Sequence, residues 1–130
     1  MLDRIDIQIE VAPLKYSQLV EKNTCESSSL IKKRVLKAKK IQKSRYKTLG
    51  IVSNAQLSPK YMDKFCIMSE EAAKLLKLAI TELALSARAY DKIRKVARTI
   101  ADMEEKELIE TVHISEAIGY RSLDRNLWLE

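Results

Sequence analysis

Between Ser86 and Glu105, apolar residues return every third or fourth position, and this rhythm constrains the chain more than any other feature. At about 100° per residue, Tyr90, Ile93, Val96, Ala97, Ile100 and Ala101 gather on one side of a helix. Arg88, Asp91, Lys92, Lys95, Thr99 and Asp102 fall on the other side. A helix with one apolar stripe must bury it against neighbours, and the upstream sequence supplies them. Ser27 or Ser28 caps a long helix running to about Lys47, with a thin stripe of Leu30, Ile31, Val35, Ala38, Ile41 or Gln42, and Tyr46. "SPKYMDKF" places Pro59 at a first helical position. Ser69 caps "EEAAKLLKLAITELAL", with acids in its first turn and Ala72, Leu76, Ala79, Ile80 and Leu83 inward. Thr111 is the expected cap of a last helix that turns Ile114, Ala117, Ile118 and Leu123 inward. Two glycines and two prolines in 130 residues leave few interruptions. The prediction is an all-α fold, an antiparallel helical bundle with short connections.

One stretch breaks the pattern. In "IDIQIEV", residues 5–11, Ile5, Ile7, Ile9 and Val11 alternate with Asp6, Gln8 and Glu10, the period of a half-buried strand. No second strand follows, and a lone strand leaves its backbone groups without partners. Its sheet is therefore expected either in another copy or, by preference, upstream of residue 1. Residues 1–25 then read as the end of a larger unit plus a connector, and residues 26–128 as the helical domain. Leu129-Glu130 reads as a vector-derived scar. Without its sheet, the head is expected to be poorly ordered or to pair adventitiously.

The net charge of +6 favours an anionic partner. No apolar run reaches membrane length and no signal-peptide pattern opens the chain. Cys25 and Cys66 have no metal or redox spacing, which suits a reducing, cytoplasmic location. His113 has no ligand cluster around it, so no metal site is expected.

Two groups of residues could carry function. Arg88 sits in the first turn of its helix, where a positive charge is unfavourable beside the positive end of the dipole. It is either a solvated arginine paired with Glu82 or Asp91, or a fork that joins the first-turn amides in facing an anion such as phosphate. The second group is Lys32, Lys33, Arg34, Lys37, Lys40 and Lys43, continued by Lys39, Arg45 and Lys47, with no acid among them. This face could follow a phosphate backbone without reading sequence. The alternative is a solvated face whose lysine stems cover a small core.

"LSARAYDKIRKVARTIADM" followed by "HISEAIGYRSLDR" resembles the C-terminal region of the magnesium-chelatase-related AAA+ ATPases of the ComM/YifB branch. "LDRIDIQIEV" resembles the last segment of that family's AAA+ core, and "ESSSLIKKRVLKAKKIQKSRYK" with "NAQLS" resembles its middle region, all in the family's order. The resemblance implies that the chain is a C-terminal lid fragment, with Arg88 as the sensor-2 arginine and Arg4 as an arginine finger acting in trans. It implies ATP and Mg²⁺ as cofactors of the full-length protein, the protein's own upstream AAA+ core as a partner, and a homo-oligomeric ring. A role on DNA in competence or recombination also follows from it. The chain departs from a complete family member in having no G-x-x-x-x-G-K-[ST] loop, so alone it is not expected to be an enzyme. Rival readings are a stand-alone basic helical nucleic-acid-binding module and an interaction bundle that docks by strand addition through residues 5–11.

Overall fold

The computed structural model describes residues 4–20 and 25–121, apart from the Gln18 side chain. Leu123, Trp128 and Leu129-Glu130 lie outside the described residues. The helices are α1 (Tyr16–Val20), α2 (Ser28–Arg45), α3 (Pro59–Phe65), α4 (Glu70–Glu82), α5 (Ala87–Met103) and α6 (Thr111–Gly119), with short 3₁₀ turns at Lys47–Leu49 and Asn54–Gln56. The fold is a helical bundle with α5 at its centre. This helix packs against α2, α3, α6 and the second 3₁₀ turn, while α4 packs on α6.

The serine caps are where the sequence marks them. Ser27 Oγ accepts from the Leu30 amide at 3.3 Å, Ser69 from Ala72 at 3.1 Å and Ser86 from Ala89 at 3.1 Å. Each satisfies one of the amides that a helix start leaves without an intrahelical partner. The core joins Ile93, Ala97 and Ala101 of α5 to Ile114 and Ala117 of α6, Ala72 and Leu76 of α4, and Tyr46, Leu57 and Met62 from the connecting segments and α3. The stops have a different cause. Ala84 and Glu105 follow α4 and α5 in the left-handed region, at φ 49° and 59°. The Leu85 amide donates to Ile80 O at 3.2 Å and the Lys106 amide to Ala101 O at 2.8 Å. These are Schellman closures with alanine and glutamate in the position that glycine usually takes.

Four expectations need correction. Residues 5–11 form no strand; Gln8 alone makes an isolated parallel bridge to Arg121, its amide donating to Tyr120 O at 2.5 Å. Nor does the alternation divide two faces: Gln8 is 5% exposed, whereas Ile7 and Ile9 are 52% and 62% exposed and Asp6 and Glu10 are exposed as well. A single segment has no sheet to hold it, and the bundle offers it polar groups instead. On α2, Ala38 and Gln42 are buried but Leu30, Ile31 and Val35 are exposed, so only the second half of that stripe meets the core. Asp102, placed on the polar side by its spacing, is buried at 1%, beside the buried Arg98. Glu110, not Thr111, is the cap of α6, and its amide donates to His113 Nδ1 at 2.9 Å.

The left-handed alanine gives a direct test. Because a non-glycine residue costs about 1–2 kcal/mol in that region, and glycine gives back part of that through its greater unfolded entropy, Ala84→Gly is expected to stabilise the chain by about 0.5–1 kcal/mol. Urea unfolding with an unchanged m-value is the measurement, and a destabilised variant would refute this account of the turn.

Candidate functional site

Arg88 is the second residue of α5, exposed, in the turn that Ser86 caps. Neither carboxylate suggested by the sequence holds it among the described residues. Asp91 is engaged by Arg94 Nη2 at 2.9 Å, and Glu82 makes no ion pair there. Arg94 also reaches Asp63 at 2.8 Å and lies over the Tyr90 ring at 4.4 Å. Arg88 is thus an arginine at the mouth of a helix start with its fork turned to solvent.

Arg4 is exposed as well, and the structure brings its segment to the same helix. Asp6 Oδ1, two residues on, lies 2.5 Å from Lys92 Nζ, one turn beyond Arg88. Arg121 Nη1 donates to Ile5 O at 2.7 Å, which ties the head to the end of α6. The alternation of residues 5–11 drew attention to the isoleucines, whereas the contacts use Asp6, Gln8 and the Ile5 carbonyl. Lys92 was visible on the polar face of α5, but nothing in its spacing pointed to Asp6.

The other end of α5 is closed by a buried polar network. Arg45 grips Asp102 with both Nη atoms, Nη1 at 3.1 Å from Oδ2. Asn54 Nδ2 donates to Asp102 Oδ2 at 3.0 Å and lies 2.9 Å from Thr99 Oγ1, while Asn54 Oδ1 accepts from Tyr46 OH at 2.5 Å. Arg98 Nε lies 3.3 Å from Asp102 Oδ1, and its Nη1 donates to Glu107 O at 2.6 Å. Burial tends to lower the Arg45 pKa, but hydrogen bonds to Asp102 and Tyr46 outweigh it and the net shift is upward. At Arg98 burial dominates and lowers the pKa. Burial also raises the pKa of Tyr46 and of the Cys66 thiol, which makes Cys66 a poor nucleophile. The i, i+4 spacing of Arg98 and Asp102 was the available signal, and it is as common on solvated faces.

The basic face of α2 is partly committed. Lys32, Lys33, Lys40 and Lys43 are exposed, with no ion pair among the described residues. Arg34 holds Glu26 in a two-pronged contact, its Nη2 at 2.8 Å from Oε2, and Lys37 lies 3.6 Å from Glu105. Arg45, counted within the run by sequence, is withdrawn into the network. His113 is fully buried, with Nε2 2.7 Å from Glu104 Oε2 and Nδ1 accepting from Glu110, so it joins the end of α5 to the start of α6. No group of three residues suited to a metal ion occurs among the described residues, and no helix there is long and apolar enough to cross a membrane.

Residues 25–121 match the family described as magnesium chelatase, subunit ChlI C-terminal. The chain belongs to this family. It is 38% identical over 128 residues to the protein YifB of Salmonella typhimurium, and 39% identical over 129 residues to the competence protein ComM of Haemophilus influenzae. An uncharacterised protein of Mycobacterium bovis is 25% identical over 121 residues. These alignments cover 97%, 97% and 93% of this chain but 24% of each relative, so the chain spans about a quarter of their length.

The network makes a stability prediction for this family member. Asp102→Ala leaves the buried Arg98 and the half-buried Arg45 guanidinium groups without their carboxylate, and breaking a buried pair typically costs about 3–5 kcal/mol. Equilibrium unfolding should show a loss in that range, and a loss below about 1 kcal/mol would show that the network contributes little.

Proposed function

We propose that this chain is the helical lid of a magnesium-chelatase-related AAA+ ATPase, in which Arg88 reaches the γ-phosphate of ATP held by an upstream core. The observation that carries the reading is the exposed Arg88 fork, without an intrachain carboxylate among the described residues, at the start of α5 in a chain of this family. A planar, permanently charged fork suits the spread charge of a phosphoryl group in transfer. The first-turn amides of α5 add positive potential at the same point. Arg4, exposed on a segment set against α5, would act as the finger on the nucleotide of a neighbouring subunit in a homo-oligomeric ring. Mg²⁺ would be held by the upstream core and would supply charge neutralisation at the phosphates. A lid of this kind works in the cytoplasm as part of the full-length enzyme and is not an enzyme alone.

Arg88→Ala in the complete protein should lower ATP turnover at saturating nucleotide at least tenfold, with fold and assembly retained. Arg4→Ala should cost about 10³-fold if the finger role is right. Unchanged turnover in Arg88→Ala would return that residue to the solvated surface and remove the lid reading.

A second reading concerns DNA. It is favoured by the exposed lysines of α2, and a relative is named as a competence protein. Lys32, Lys33, Lys40 and Lys43 supply charge with no accompanying acid in α2, so binding would follow phosphates and fade with salt. Fluorescence anisotropy with single-stranded and branched DNA should give micromolar affinity at low salt. Lys32→Glu with Lys40→Glu should weaken it on every sequence alike and flatten the salt slope by about two. Absence of binding at low salt would leave this helix as a solvated face.

A further inference from the structure

The head segment is seated on the bundle in an unusual way. Its apolar side chains are only partly covered, and Ile5, Ile7 and Ile9 are 44%, 52% and 62% exposed. Beneath it lies an open cavity of about 700 Å³, walled by Asp6, Ile7 and Ile9 on one side and by Lys92, Val96 and Tyr120 among others on the other. A segment that spans a cavity of this size is not positioned by close apolar packing. The contacts that fix it are polar and few: Asp6 to Lys92 at 2.5 Å, the Gln8 amide to Tyr120 O at 2.5 Å, and Arg121 to Ile5 O at 2.7 Å. Two of the three use backbone atoms of the head and would tolerate a change of side chain there. Of these three, Asp6–Lys92 joins two side chains and reaches α5.

We propose that Asp6 and Lys92 form a latch that holds Arg4 and Arg88 in a fixed relation, so that movement of α5 at one nucleotide repositions the finger offered to the next. This rests on the lid reading above. Lys92 follows Arg88 by four residues, so the two stand on one face of α5, about 6 Å apart at Cβ. Asp6 follows Arg4 by two residues, across a 3₁₀ turn at Arg4 and a bend at Asp6, so the pair is close to Arg4 along the chain. A single ion pair therefore sits one short step from each arginine. Asp6 is 59% exposed and Lys92 23%, so solvent screens the pair and its contribution to stability is small. Its effect is on geometry. Both are positioning residues, since each acts through an arginine rather than on the nucleotide.

Charge reversal separates this role from a merely structural one. In the complete protein, Asp6→Lys and Lys92→Asp should each lower kcat for ATP at least threefold and bring the Hill coefficient toward one, with KM changed less than twofold. The double reversal, Asp6→Lys with Lys92→Asp, should restore kcat to within twofold of the parent. In the chain itself, hydrogen exchange at the Gln8 amide should quicken at least tenfold in either single variant and slow again in the double. Single variants with parental kcat, Hill coefficient and exchange would overturn the latch, and so would a double variant no better than the singles. If either result came with Arg88→Ala inactive, the latch would fall and the lid reading would stand. If Arg88→Ala kept full turnover, the lid reading itself would fail and the positioning role with it.

Discussion

The Asp102 carboxylate is the point on which the arrangement of α2, α5 and the intervening turns depends. It is 1% exposed and is bounded by Arg45 from α2, Arg98 from its own helix and Asn54 from the 3₁₀ turn. A buried carboxylate is tolerable when opposing charges and donors surround it, and here both are present. The arrangement also fixes register. Apolar contacts between α2 and α5 would accept a slide of part of a turn, whereas a two-pronged arginine contact and an asparagine bridge would not. Conformational specificity is therefore the better account of this network than a gain in stability.

Most helix starts were legible and most helix stops were not, for one physical reason. Ser27, Ser69 and Ser86 cap by a side-chain hydrogen bond, which requires particular residue types and so leaves a mark in sequence. Ala84 and Glu105 close helices through backbone bonds in the left-handed region, which glycine would signal and these residues conceal. The start of α6 was misread because its cap borrows a histidine: His113 Nδ1 takes the Glu110 amide, a role usually filled by glutamate or glutamine. The polar side of α5 was misread because periodicity separates apolar from polar, not buried from exposed. Arg94, Arg98 and Asp102 are all polar and all buried. At the candidate site the sequence singled out Arg88 and Arg4, but not the Asp6–Lys92 contact that lies between their segments. An ion pair between residues 86 positions apart leaves no local pattern.

The head shows how a correct pattern can support an incorrect element. The alternation of residues 5–11 is real in the sequence, yet only Gln8 is buried, and Asp6, Ile7, Ile9 and Glu10 are all exposed. Strand formation needs a backbone partner along its length, and the bundle offers one bridge at Gln8.

α5 joins these features mechanically. Its 17 residues span about 25 Å at 1.5 Å per residue. One end presents Arg88 to solvent, and the other is held by Asp102 among buried guanidinium groups. Between them, Ile93, Ala97 and Ala101 are fully buried against neighbouring elements. A rod anchored at one end and packed along its length turns as a body instead of bending, so a pull on Arg88 would carry α2 and α6 with it. If Arg88 binds phosphate as proposed, gain or loss of that phosphate would reach Lys92, one turn away on the same helix, as a movement of α5.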